Sequence, residues 1–103
     1  MELTIEQALQ QGIAAQNAGR LQEAEGVYKA ILRIQPKHPD ANYNLGLIAV
    51  SVNQIEAALP LFKAAVDVNP MIEKFWISYI DALVKDNQLK GAKQAIKKAK
   101  KKG

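Results

Sequence analysis

Along residues 43–66 the apolar positions fall at helical spacing. Tyr43, Leu47 and Val50 share one face of a first helix, and after a polar break Leu59, Phe62 and Val66 share one face of a second. The break holds Asn53, and the matching breaks before and after it hold Gly19 and Asn87. These residues tolerate the left-handed backbone that ends a helix. Pro36, Pro39 and Pro70 keep successive helix pairs from fusing into one rod. Thr4-Ile5-Glu6-Gln7 offers a capping box, with Thr4 as the cap and Gln7 reaching back. The pattern predicts helices over 5–18, 21–34, 40–52, 55–68, 73–86 and 89–101. Pro60 falls about one and a half turns into the fourth, where it removes one hydrogen bond and predicts a slight kink.

The helix pairs repeat. Residues 5–38, 39–72 and 73–103 align, each unit starting 34 residues after the last. The eighth place reads Gly12, Gly46, Ile80, and the fifteenth reads Gly19, Asn53, Asn87. The seventeenth is Leu21, Ile55, Leu89, and the twentieth is Ala24, Ala58, Ala92. The twenty-fourth is Tyr28, Phe62, Ile96; the thirty-second is Pro36 and then Pro70. A turn residue, an alanine, a large apolar residue and a proline that keep step together mark a repeat architecture, in which stacked units bury a shared core.

These places resemble the tetratricopeptide repeat (TPR) pattern over nearly the whole chain. The second unit carries it most fully, in Ala41-Asn42-Tyr43-Asn44-Leu45-Gly46 followed by Ala58, Phe62, Ala65 and Pro70. The third keeps Trp76 at the aromatic fourth place but has Ile80 where glycine is usual. The first has Ala8 at the aromatic place and Gln11 at the leucine place, the drift expected of a terminal repeat. The resemblance implies an all-α fold: an α-solenoid of three stacked helix-turn-helix repeats, six helices in a right-handed superhelix, one domain over residues 1–103.

The resemblance also implies a concave groove lined by the first helix of each unit. Its expected residues are Leu9, Ile13 and Asn17; Tyr43, Asn44, Leu47, Val50 and Ser51; and Lys74, Ile77, Ser78 and Asp81. It does not extend to the subtype that clamps a C-terminal carboxylate. Leu9 and Ile13 stand where that subtype wants lysine and asparagine, and Ser78 where it wants a base; only Asn44 and Lys74 match. Leu9, Ile13, Tyr43, Leu47, Val50 and Ile77 are instead expected to form an apolar stripe suited to an apolar or amphipathic helix. Some of these side chains could equally pack between neighbouring helices and narrow the groove.

Charge changes the picture at one end only. The net charge is +4, yet residues 1–84 carry six bases against nine acids, while residues 85–103 carry eight lysines against Asp86. This basic stretch has no arginine and no aromatic residue, so bidentate phosphate grip and base stacking are missing. A solvated outer face is the favoured reading: Leu89, Ala92, Ile96 and Ala99 are expected inward and the lysines outward. Nucleic acid and membrane are not the expected partners.

Candidate chemistry is thin. There is no cysteine, which excludes disulfides, thiolate metal sites and thiol catalysis. The single histidine, His38, sits in an inter-unit turn where a capping role is the simplest reading, and the six glycines form no phosphate loop. Asp81 and Lys85 are four apart, in the order that favours a surface pair. No metal site, cofactor or catalytic site is expected. No uncharged stretch approaches a bilayer span and the start of the chain has no export pattern, so a cytoplasmic location is expected. The expected function is a non-catalytic module that binds a protein or peptide in its groove. The alternatives are a self-associating scaffold, or an anionic-surface binder using residues 85–103.

Overall fold

The computed structural model describes residues 3–102. Residues 1–2 and 103, assigned by sequence to the same domain, lie outside the described residues. Among those described are six α-helices and no strand: α1 (Ile5–Asn17), α2 (Leu21–Ile34), α3 (Pro39–Ser51), α4 (Ile55–Val68), α5 (Glu73–Lys85) and α6 (Leu89–Lys102). Each sequence unit is thus one helical hairpin, and Pro60 lies inside α4, which continues through it.

The local signals act as their chemistry dictates. The Thr4 hydroxyl accepts from the Gln7 amide and the Gln7 side chain accepts from the Thr4 amide, each at 3.0 Å. Gly19, Asn53 and Asn87 take φ values of 81°, 61° and 60°. One pair of bonds then closes every hairpin: in the second unit the Asn53 amide donates to the Val50 carbonyl and the Gln54 amide to the Ala49 carbonyl. α3 begins at Pro39 because His38 caps it, Nδ1 accepting from the Ala41 amide at 3.1 Å. That acceptor role puts the proton of the neutral ring on Nε2.

Within a hairpin, glycine permits close approach. A Cβ on Gly12 would fall 2.6 Å from Tyr28 Cε1, and one on Gly46 would fall 2.5 Å from Phe62 Cε1. The aromatic ring of the second helix therefore lies directly against the glycine backbone of the first. The third unit uses Ile80 and Ile96 at the same two places, trading one large and one absent side chain for two of middling size.

Between hairpins, α3 serves two cores at once. Ala41, Leu45 and Ile48 join Leu9, Ala15, Ala24, Tyr28 and Ile31 in the first core. Tyr43 and Ala49 join Phe62, Val66, Phe75, Trp76 and Leu83 in the second. The unit junctions are pinned alike. Asn42 Nδ2 donates to the carbonyl of Pro36 at 3.1 Å, and Trp76 Nε1 donates to that of Pro70 at 2.7 Å. Asparagine and tryptophan thus perform one task at the fourth place. Among the described residues, the backbone of α3 comes within 8 Å (Cα–Cα) of both α1 and α5, whereas no two of α2, α4 and α6 approach that closely. First helices converge and second helices splay, so the 47 × 26 × 20 Å array curves with α1, α3 and α5 on its inner side.

Burial of the Tyr28 ring has a pH consequence. Its hydroxyl donates to Gln16 Oε1 at 2.6 Å, and burial pushes its pKa from 10.0 up to about 12. Above pH 10 the unfolded chain releases this proton while the folded chain keeps it, so stability must fall between about pH 10 and 12. The loss is about 2–3 kcal/mol by the upper limit. Tyr28→Phe removes that slope and costs about 0.5–1.5 kcal/mol at neutral pH for the lost hydrogen bond. Denaturant melts at pH 8 and pH 11.5 of both proteins check this; equal slopes would contradict it. Asp67 raises the pKa of Lys63 and so acts in the same direction, but both proteins keep that pair.

Candidate functional site

The inner side of the array is built by α1, α3 and α5, and the expected groove residues divide into distinct fates along it. Leu9 and Tyr43 are buried, Leu9 in the first core and Tyr43 in the second. Both stand at the fifth place of their unit, against which the following hairpin packs, so they do not form part of a free apolar stripe. Ile13 is half-buried against the first core, and Leu47 and Val50 are half-buried against the second. The accessible apolar surface is therefore narrower than six side chains.

The polar members are placed as follows. Asn17 is exposed and Asn44 half-buried. Ser51 is exposed, with its hydroxyl donating to the Ile48 carbonyl at 2.6 Å. Asp81 is exposed and paired with Lys85 Nζ at 3.1 Å. Such a pair contributes well under about 1 kcal/mol.

One constellation is brought together from two units. Tyr43 Oη and Ser78 Oγ lie 3.0 Å apart in a hydrogen bond that either hydroxyl can donate. Lys74 Nζ sits 5.5 Å from the centroid of the Tyr43 ring, in cation–π range. The Tyr43 ring also meets Phe75, ring centroids 4.6 Å apart. Tyr43, Lys74 and Ser78 thus form a fixed polar spot on the inner side at the junction of the second and third units.

At the far end the third unit departs from expectation. α6 buries Ala92 and Ala95, but Leu89 and Ile96 are exposed rather than turned inward, and Ile77, Val84 and Met71 are exposed as well. The first two units bury Leu9 and Tyr43 at the place of Ile77, and Tyr28 and Phe62 at the place of Ile96; in the third unit both places are exposed. A cleft of about 500 Å³ between α5, α6 and the preceding loop is lined by Met71, Trp76, Ile77, Ile80 and Ala99. Met71, Ile80 and Ala99 were not among the expected site residues. Their apolar character was legible in the sequence, but nothing there tells that the fold brings them to one cleft.

Among the described residues no group of three or more His, Cys, Asp or Glu side chains is placed to hold a metal ion. No helix among them is long and apolar enough to cross a membrane. The surface offers curvature, half-buried apolar side chains and a few fixed hydrogen-bonding groups, which are the means of an α-solenoid scaffold.

The chain belongs to the tetratricopeptide repeat family, whose model matches residues 15–73. That family serves as a scaffold for protein–protein contact. Among solved structures it is similar to MamA (residues 41 to the end) from Desulfovibrio magneticus RS-1. The identity is 31%, the TM-score 0.80, and the match covers 93% of this chain and 54% of that one. The Sgt2 TPR domain from Aspergillus fumigatus is 26% identical with a TM-score of 0.79, over 92% of this chain and 63% of that one. MamA of AMB-1, at 23% identity and a TM-score of 0.85 over 97% of this chain and 55% of that one, shares the fold. The chain spans 54% of the length of the first of these. No curated protein matches it in sequence.

Proposed function

We propose that the chain is a non-catalytic protein-interaction module that holds an apolar or amphipathic helix along the inner side of α1, α3 and α5. The observation that carries this reading is the convergence of the first helices while the second helices splay, which makes that side concave. Ile13, Leu47 and Val50, each partly exposed, supply an apolar floor, and Asn17, Asn44 and Ser51 supply hydrogen-bonding edges. Partial exposure suits a ligand that adds burial without requiring the hairpins to open.

Binders selected from a display library of amphipathic helices test the reading. Leu47→Lys and Ser51→Arg, each placing a bulky charge on the concave side, are expected to weaken them about tenfold or more. Leu47 is half-buried, so its melting temperature is measured alongside; Ser51 is exposed and its replacement leaves folding unchanged. A library in which no selected binder is weakened by Ser51→Arg would contradict the proposal.

A further inference from the structure

The antiparallel hairpins give the array two unlike edges. One carries the turns within the hairpins. The other carries the starts of α1, α3 and α5, the ends of α2, α4 and α6, and both inter-unit loops. Leu3, Ile34, Val68, Met71 and Ile72 lie on this second edge and are all exposed, Ile34 and Met71 at 70% each. They keep step with the repeat. Ile34 and Val68 are the last residues of α2 and α4, and Leu3 and Met71 each stand two residues before a first helix. The edge is thus a row of separate apolar tips spread along the array from the first unit onward, not a face of one hairpin.

Basic side chains border the tips. Arg33 and Lys37 flank Ile34 along the chain. At the second junction Lys98, Lys101 and Lys102 share a cleft of about 250 Å³ with Pro70 and Trp76, and Lys100 lines the 500 Å³ cleft with Met71. Among the described residues none of these six bases is ion-paired. The acids of the edge are Glu6, Asp40, Asp67 and Glu73. Asp67 is held by Lys63 at 2.9 Å. The other three stand in the first turns of α1, α3 and α5, where the positive end of the helix dipole offsets them. Positive charge therefore prevails around the tips.

We propose that this edge docks on an anionic lipid bilayer, its apolar tips entering the interface and its bordering bases meeting the acidic headgroups. The form of the patch selects the occupant. A protein partner is held through a continuous, packed apolar core. Here polar residues such as Gln35, Lys37 and Asn69 separate the tips, and a fluid bilayer accepts single tips at any spacing. Lysine, a mobile point charge, suits a diffuse anionic surface. A nucleic acid would satisfy the lysines but leave the apolar tips in water. The lysine pattern alone gave no reason to expect a membrane; the exposed tips beside it do. The edge is distinct from the inner side of α1, α3 and α5, so the proposal stands whether or not a helix fills that side.

The test uses the full chain and vesicles of phosphatidylcholine, with and without phosphatidylserine. The chain has no cysteine, so Met71→Cys and Val52→Cys each provide one labelling site. Val52 is exposed at the turn of the second hairpin, on the opposite edge. An environment-sensitive fluorophore at position 71 is expected to shift to the blue on phosphatidylserine vesicles, and one at position 52 to stay unchanged. Binding measured by vesicle sedimentation should weaken as salt rises. It should weaken about tenfold or more in Lys98→Glu/Lys100→Glu/Lys101→Glu, and about tenfold in the uncharged Ile34→Ser/Met71→Ser. All five side chains are exposed, so melting temperatures should match that of the wild type. Equal responses from the two labels, or equal binding to vesicles without phosphatidylserine, would overturn the proposal. So would undiminished binding of Ile34→Ser/Met71→Ser, which would leave only a contact of lysines with any polyanion, nucleic acid included.

Discussion

Phe62→Ala is expected to lower the unfolding free energy by about 3–5 kcal/mol, the range for truncating an enclosed aromatic side chain. Phe62 is 1% exposed and sits in the second core, with its ring centroid 5.7 Å from that of Tyr43. Few neighbours can collapse into the space it leaves, because one wall of its site is the backbone at Gly46. A domain of this size has a total stability of about 5–15 kcal/mol, so a large part of it would be lost. The effect should also be polar along the array. Amides of α5 and α6, which depend on the second core, lose more hydrogen-exchange protection than those of α1 and α2, which rest on the first. Urea unfolding and hydrogen exchange measure both; a loss under about 1 kcal/mol would mean that the ring is not enclosed.

Gly46→Ile is expected to be as damaging on its own and to be partly rescued by a second change. Any side chain at position 46 would bring its Cβ within 2.5 Å of Phe62 Cε1 and 2.8 Å of Cδ1. Relief requires moving a buried ring, and overpacking of this kind costs about 1–3 kcal/mol or more. The gain in helix propensity over glycine, under about 1 kcal/mol, does not offset it. In the third unit the half-buried Ile80 at the eighth place has no aromatic ring opposite it, the twenty-fourth place holding Ile96, which is exposed. Gly46→Ile/Phe62→Ile should therefore be more stable than the sum of its single changes predicts, by about 1–3 kcal/mol. A double-mutant cycle by urea unfolding gives the coupling directly. Strict additivity would show that the eighth and twenty-fourth places do not share one space.

Most of the architecture was legible because it is written in short-range chemistry repeated in register. Thr4 with Gln7, the left-handed Gly19, Asn53 and Asn87, and the prolines between units are local rules, and they bounded the helices closely. α2 and α4 run over 21–34 and 55–68 as expected. α1, α3 and α5 each stop one residue sooner than expected, since Ala18, Val52 and Asp86 serve as C-caps ahead of the left-handed residue. α3 starts at Pro39 instead of 40, His38 taking the cap, and α6 reaches Lys102 instead of 101.

The surface was less legible. Periodicity tells which face of a helix is apolar, not whether water or the next hairpin covers it. Leu9, Tyr43 and Ile77 occupy one place in three units and look equivalent in sequence, yet the first two are covered and the third is open. The same blindness placed Leu89 and Ile96 inward. Tyr43 illustrates the mixed outcome: its ring belongs to the core, while its hydroxyl reaches Ser78 at the inner surface.

Nuclear Overhauser contacts between side chains of the full chain measure the stacking directly. Tyr43 ring protons should contact those of Phe75, whose centroid is 4.6 Å away, and the Gly46 α-protons should contact the Phe62 ring. No contacts should join α6 to α1 or α2. Contacts linking α6 to α1 or α2 would describe a closed bundle and contradict a row of stacked hairpins.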